Sequence, residues 1–329
     1  MVKIALAGFG FMGKTHLDAY QQLPNVQVVA VCTSSQRVQA KLPGEIPHFT
    51  SFAAMVDAGG FDAVDICLPT HFHRENAIYA LRRGFHVLCE KPLAARLEDC
   101  REMIREARST ERALIVAHCL RYWPTYAAAK RLVDSMDYGK VLHIELNRFS
   151  PRPNWSADNW LSSAELSGGA ALDLHIHDTD LLMHLFGVPK SVYSHGLSTV
   201  DGGVHHITTL YRYPDFVAVA TGGWTTSDSY GFRMQARLLL EKATVEINPA
   251  GSSEVMVYPT GQAPYALDST KGEGYLPQLS AFINAVESSD FSGLVDGEEA
   301  ARSVGLCLLE IESVRYEREV AVPTSPRAV

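Results

Sequence analysis

The chain opens with short apolar runs set between amphipathic stretches. Residues 3–7, 26–32, 63–67, 86–89 and 113–117 are rich in Val, Ile, Leu and Ala. Continuous apolar runs of this length suit strands buried on both faces of a parallel sheet. Between them, 12–22, 35–42, 73–83 and 96–109 are expected to be helices. This alternation predicts βαβ units and a doubly wound sheet. The rhythm breaks after about Arg121. One more helix is expected over 126–136. Longer strands follow over 141–149, 191–197, 206–213, 216–221, 232–240, 243–247 and 254–258, with no regular helices between them. Turn signals such as Asp201-Gly202-Gly203 and Tyr213-Pro214-Asp215 imply an antiparallel sheet. Helices over 276–287 and 297–317 close the chain before a frayed tail at 323–329. The pattern predicts two domains, an α/β domain over 1–121 and an α+β domain over 122–329. The second is built on a large, open-faced, mainly antiparallel sheet, and the C-terminal helices pack back near the junction.

Composition narrows the partners. A length of 329 residues supports two domains, each with its own core, and 47% hydrophobic with 20% charged residues is ordinary for a globular protein. The net charge of -8, with both signs interspersed, offers no basic stripe, so nucleic acid is excluded as a partner. No apolar run approaches the roughly 20 residues that span a bilayer. The N-terminus runs into a Gly-rich turn without a signal-peptide pattern, and the six cysteines form no CxxC pair. A reduced, cytoplasmic chain is expected.

Gly8-Phe9-Gly10-Phe11-Met12-Gly13 follows the first strand and opens the first helix. Gly8 suits a tight turn, Gly10 the close approach of a pyrophosphate, and Gly13 helix–strand packing. The helix N-terminus then presents N–H groups and positive dipole to that anion. The bland alternative is a structural loop. At the end of the second strand, a fold selective for NAD would carry Asp or Glu to bind the ribose 2′-hydroxyl. This chain has Thr33, Ser34, Ser35 and Arg37 near that point. Small donors and an arginine favour a 2′-phosphate, hence NADP over NAD. Alternatively, Ser34 or Ser35 caps the next helix and Arg37 is solvated.

Three further segments fall where ligands of such a fold lie. They are Leu68-Pro69-Thr70-His71-Phe72-His73, Glu90-Lys91-Pro92, and the stretch from Gly168-Gly169 through Asp173, His175 and His177 to Asp180. Oxidising a secondary alcohol requires a base for the hydroxyl proton while hydride leaves the carbon. His177 suits the base, because histidine titrates near neutrality. Asp173, four residues earlier, would share a helix face with it and orient the ring or bind a hydroxyl. Lys91 would stabilise alkoxide character on the reacting oxygen. The bland readings are a solvated strand-end lysine, a capping or core histidine, and an N-cap aspartate.

With the glycine turn, these segments resemble the family of glucose–fructose oxidoreductase and inositol 2-dehydrogenase, called Gfo/Idh/MocA. The resemblance covers the chain from Lys3 to the last helix. It implies a Rossmann domain followed by an open antiparallel sheet. It also implies Lys91, Asp173 and His177 as catalytic residues, and a cofactor site that includes Leu68, Pro69, Thr70, His73, Glu90, Lys91 and Arg121. Arg121 matches an Arg-aromatic-x-Pro element beside the cofactor. The chain departs from the family at Thr33, where Asp is common, near His71, and at His175, where Gly is common.

The activity implied is hydride transfer between NAD(P) and a CH–OH or carbonyl carbon of a sugar, inositol or related polyol. His175 is expected to shape the pocket, with the alternative that it is the base and His177 a cap. Arg152, Trp155 and Trp160 offer stacking faces and donors for a sugar, or a contact with a neighbouring subunit. The open sheet face, taken to bear Leu, Ile, Tyr and Val, is expected to be buried in a homodimer or homotetramer. Two rival readings remain. One is a non-catalytic NADP-binding regulator. The other is a metal-dependent hydrolase built on the pairs His71/His73 and His175/His177.

Overall fold

A computed structural model describes residues 1–33, 46–154, 156–198, 202–249, 254–268 and 271–323. The chain divides into two compact units, Met1–Cys119 with Tyr275–Ala301, and Leu120–Gly274 with Arg302–Val329. In the first unit, β1 (Val2–Ala7), β2 (Val26–Cys32), β3 (His48–Phe49), β4 (Ala63–Ile66), β5 (His86–Glu90) and β6 (Leu114–Ala117) form one sheet. Its order is β3-β2-β1-β4-β5-β6 and every neighbouring pair is parallel. Helices α1 (Phe11–Tyr20), α2 (Phe52–Ala58), α3 (His73–Arg82) and α4 (Leu97–Thr110) connect the strands. The strands are apolar along their length because nearly every residue is covered: Ile4, Leu6, Val64, Ile66 and Val87 have no exposed surface. Asp65 lies among them, equally buried. The strand order reverses between β1 and β4, which places the ligand crevice of such a sheet at the carboxyl ends of the strands. β3 and α2 were not anticipated, because two and seven residues are too few to show a period. The helix expected over 35–42 lies outside the described residues.

The second unit holds α5 (Pro124–Ser135), β7 (Val141–Pro151), α6 (Ala164–Ser167), α7 (Gly169–Asp173) and α8 (Ile176–Phe186). Then come β8 (Ser191–Ser198), β9 (Val204–Arg212), β10 (Val217–Thr226), β11 (Arg233–Leu240), β12 (Ala243–Ile247), β13 (Val255–Pro259), β14 (Tyr265–Ala266) and β15 (Val320–Ala321). The nine-stranded sheet runs β14-β13-β12-β11-β7-β10-β9-β8-β15. Only β7 and β10 pair in parallel. Helix α8 corrects the expectation that no regular helix separates these strands. Its sequence, IHDTDLLMHLF, buries Asp178, Thr179 and Asp180 together with Ile176, Leu181 and Leu182, so its polar residues mark out no solvent-facing stripe.

One sheet face carries the core: Ile144, Leu146, Ala218, Ala220, Tyr211 and Leu238 cluster with Leu181 and Leu182 of α8 and Tyr126 of α5. On the other face, one cross-strand row reads Tyr193, Leu210, Val219, Glu145, Arg237, Glu246 and Met256. On β7 and β11, Ile144, Leu146, Ala236 and Leu238 turn inward, while Glu145 and Arg237 of this row face outward. In this row the two strands therefore present charge where an apolar outer face was expected. The outward apolar residues of this row are Tyr193, Leu210 and Val219 on β8, β9 and β10, with Met256 on β13.

Helix α9 (Tyr275–Ser288) returns to the first unit, where Leu279, Phe282 and Ile283 join the core of Ile4, Leu6 and Tyr20. Helix α10 (Gly297–Tyr316) supplies its later part, from Arg302, to the second unit. No described helix is long and apolar enough to cross a membrane.

Candidate functional site

In the first unit, the glycine turn has the shape that a dinucleotide requires. Gly8 has φ +90°, and a Cβ there would lie 2.5 Å from the Cys67 carbonyl oxygen. A Cβ on Gly13 would overlap the Gly8 carbonyl. Gly10 has nothing within 4 Å of the Cβ position and is exposed. Two glycines are thus fixed by packing, and the middle one keeps the backbone open to a ligand. Gly10 also starts α1 with no side-chain cap, so the positive helix end faces that opening uncapped. This cradle fits a pyrophosphate. Phe9 packs in the core, Met12 is half-buried and Phe11 is exposed. Thr33 is buried, its N–H donating to the Phe49 carbonyl. Ser34, Ser35 and Arg37 lie outside the described residues.

Two loops follow β4 and β5. Leu68 and Pro69 are half-buried, and Thr70 is buried at the start of a tight 3-10 turn, Thr70–Phe72. His73, expected beside the cofactor, is buried instead: Nε2 lies 2.8 Å from the Leu68 carbonyl and Nδ1 2.9 Å from the Pro92 carbonyl. It ties the two loops together, and burial pushes its pKa below the ordinary value. Glu90 is buried, and its Oε2 accepts the Lys91 N–H at 3.0 Å. Lys91 itself is half-buried, and its peptide to Pro92 is cis.

Beneath these loops runs a network that sequence reasoning missed. His16 Nδ1 is 2.8 Å from Asp65 Oδ2, and Nε2 is 3.2 Å from Glu90 Oε1. The second contact is ionic in distance but falls short of a well-aligned hydrogen bond. Tyr20 donates to Asp65 Oδ2 at 2.9 Å. The signal available was a lone Asp65 inside a strand that is otherwise wholly apolar.

In the second unit, Gly168 and Gly169, with φ +75° and +73°, open α7. That helix ends at Asp173, and α8 begins only at Ile176. The His175 N–H reaches back five residues to the Ala170 carbonyl at 2.8 Å, and the His177 N–H only three, to Leu174, at 3.3 Å. A wide turn therefore separates Asp173 from His177, and they do not share one helix face. Both are half-buried. His175, expected to border the substrate, has no exposed surface, and its Nε2 lies 3.0 Å from both Tyr211 Oη and Glu310 Oε2.

The three residues after His177 are all buried and anchored to different elements. Asp178 accepts two bonds from Arg148 of β7, at 3.0 and 2.9 Å. Thr179 donates to Glu310 of α10 at 3.0 Å. Asp180 accepts two bonds from Arg121, at 2.8 and 2.6 Å, and one from Ser303 at 2.8 Å. Arg121, expected beside the cofactor, thus commits its guanidinium to Asp180, and its side chain is 8% exposed. Trp160 packs against the cluster of Leu161, Ala170 and Trp224, while Arg152 is exposed. Trp155 lies outside the described residues. Neither HxH pair forms a ligand set. His73 and His175 are engaged as above, and His71 is exposed with its ring against Phe72.

The first unit is a dinucleotide-binding fold of the kind that serves nicotinamide-dependent oxidoreductases. Residues 2–118 match the model of an oxidoreductase family with an NAD-binding Rossmann fold, and residues 126–246 match the GFO/IDH/MocA C-terminal domain. The chain belongs to the Gfo/Idh/MocA family and is a nicotinamide-dependent oxidoreductase. It is 26% identical over 326 residues to scyllo-inositol 2-dehydrogenase (NADP(+)) IolU of Bacillus subtilis, covering 97% of this chain and 93% of that enzyme. It is 30% identical over 203 residues to levoglucosan dehydrogenase of Pseudarthrobacter phenanthrenivorans, an alignment that spans 56% of this chain and only 51% of that enzyme. The WlbA dehydrogenase of Bordetella pertussis, solved with NADH and UDP-GlcNAcA, superposes with a TM-score of 0.87 over 98% of both chains. At 23% identity that likeness shows the fold alone.

Proposed function

We propose that the enzyme moves a hydride between a nicotinamide cofactor and a CH–OH or carbonyl carbon of a sugar, inositol or related polyol. One observation carries this reading. Each unit spends its buried partners on fixing the backbone around one half-buried basic side chain, Lys91 in the first and His177 in the second. When bound, the nicotinamide supplies the redox partner for the carbon-bound hydrogen. Lys91 hydrogen-bonds the reacting oxygen and stabilises its alkoxide character. His177 takes the hydroxyl proton in the oxidative direction and returns it in the reductive one. Asp173 binds a neighbouring hydroxyl or orients the His177 ring. The named relatives, which act on inositol and an anhydrosugar, support this substrate class.

NADP is preferred over NAD in this reading, because Thr33 stands where a ribose-binding carboxylate would select NAD. Arg37→Ala should weaken NADP(H) binding by about 1.5–3 kcal/mol, the value of a charged hydrogen bond, and leave NAD(H) binding nearly unchanged. Equal losses for the two cofactors would show that Arg37 does not face a 2′-phosphate. The outward row Tyr193, Leu210 and Val219 favours a homodimer or homotetramer through the sheet face. The six unpaired thiols suit the cytoplasm.

The test of the whole reading is a panel of sugars and inositols with NADP and NAD in parallel, followed by absorbance at about 340 nm. Turnover of at least one polyol is expected. Tight cofactor binding with no turnover across the panel would favour a non-catalytic regulator.

A further inference from the structure

We propose that His16 is a positioning residue: held as an imidazolium, it locks the carboxylate of Glu90, and through it the backbone of Lys91, to the helix that follows the glycine turn. The inference rests on the reading that Lys91 acts at the reacting oxygen. His16 lies on α1, wholly buried, between two carboxylates on neighbouring strands. Its Nδ1 is 2.8 Å from Asp65 of β4 and its Nε2 3.2 Å from Glu90 of β5. A neutral ring has one N–H, so it would turn a lone pair toward one of these buried carboxylates. The imidazolium carries an N–H at each nitrogen, so it meets Asp65 with a hydrogen bond and Glu90 with its charge.

The groups around the ring agree with that state. From α1, Tyr20 donates to Asp65; from the end of β4, the Cys67 sulfur lies 3.3 Å from His16 Nδ1 and 3.5 Å from Asp65 Oδ1. From β5 comes Glu90, whose second oxygen accepts the Lys91 N–H. Burial alone would lower the His16 pKa, but the Asp65 carboxylate raises it well above 6.5. Burial alone would raise that of Glu90, but the His16 ring and then the Lys91 charge hold it below its ordinary value. Burial and the Asp65 charge push the Cys67 thiol far up, so sulfur enters the network as S–H.

The mechanical consequence concerns α1. Its first residue leaves the glycine cradle, and its second turn carries His16. One rigid helix therefore joins the pyrophosphate end of the site to the lysine end. A displacement of about 1 Å at a reacting group can cost on the order of 10²-fold in rate, so a link of this kind has catalytic value without touching substrate.

The test reads the ring directly. In the full-length enzyme labelled with 15N-histidine, with and without NADP, the His16 signal is assigned by its loss in His16→Gln. At pH 8, both ring nitrogens should resonate as protonated. One protonated and one bare nitrogen would overturn the proposal, whatever Lys91 does. Kinetics separate positioning from folding. His16→Gln should lower kcat by about 10²-fold while cofactor Kd moves only a few-fold. The double variant His16→Gln/Glu90→Gln, which removes the charge from both partners, should recover part of that loss. No recovery would reduce His16 to packing. If instead Lys91→Ala keeps wild-type turnover while the His16 ring is doubly protonated, the role of Lys91 fails and the ionic link stands.

Discussion

Two buried histidines, one in each unit, stand behind the two candidate catalytic groups, and they are held in opposite ways. His16 has a carboxylate at each ring nitrogen. His175 has all its polar partners on Nε2, shared between Tyr211 and Glu310, and its Nδ1 finds no hydrogen-bond partner among the described residues. Nδ1 instead lies beneath Gly222, 3.6 Å from where a Cβ would sit. Both rings have no exposed surface, so burial does not distinguish them. The partner set does. His16 bridges three elements by charge, whereas His175 plugs the wide turn between Asp173 and His177 and leans on a carboxylate that already has other donors. Those donors are Thr179 and Tyr211, both 3.0 Å from Glu310 Oε1.

The largest expected effect lies where the first network ends. Lys91→Ala should lower kcat by roughly 10²–10⁴, the scale of a lost oxyanion donor, in steady-state assays on any substrate turned over. The next effect compares the two rings. His16→Ala leaves Asp65 and Glu90 buried without their cation and should cost about 3–5 kcal/mol of stability by denaturant unfolding. His175→Ala leaves Glu310 with its hydroxyl donors and should cost about 1–3 kcal/mol. Equal costs would erase the distinction drawn between them.

The smallest effect is on pH dependence. A raised folded-state pKa means that the contribution of His16 is complete below its ordinary value of 6.5 and is lost as pH rises through the raised value. Glu90 has the opposite sign: its contribution is complete above 4.5 and is lost as pH falls through its lowered value. The stability difference between wild type and His16→Gln should therefore narrow at alkaline pH. A difference that widens there would contradict the charge assignment.

Much of the scaffold was legible because burial leaves a plain mark on composition. The run 26–32 is strand β2 to the residue, because four of its seven positions are buried and only Gln27 is exposed. The glycine turn was legible because its spacing answers to sterics at Gly8 and Gly13. The supporting charges were hidden by the same rule. Asp65 sits in an apolar run and reads as noise until His16 and Tyr20 are seen to surround it. Helix α8 escaped because Asp178 and Asp180 point into buried arginines rather than to water. The expected helix face shared by Asp173 and His177 failed on one backbone detail, the five-residue reach from His175 to Ala170, which no side-chain pattern announces. The burial of His175 and the pairing of Arg121 with Asp180 were not legible, because exposure cannot be read from residue type alone.

The most direct test of the account is a paired kinetic measurement of His177→Ala and His175→Ala on one substrate. The account predicts that His177→Ala lowers kcat by roughly 10²–10⁴ with cofactor affinity within a few-fold of wild type. His175→Ala should retain most of its turnover and lose stability instead. Abolished turnover in a folded His175→Ala, with His177→Ala near wild type, would contradict it.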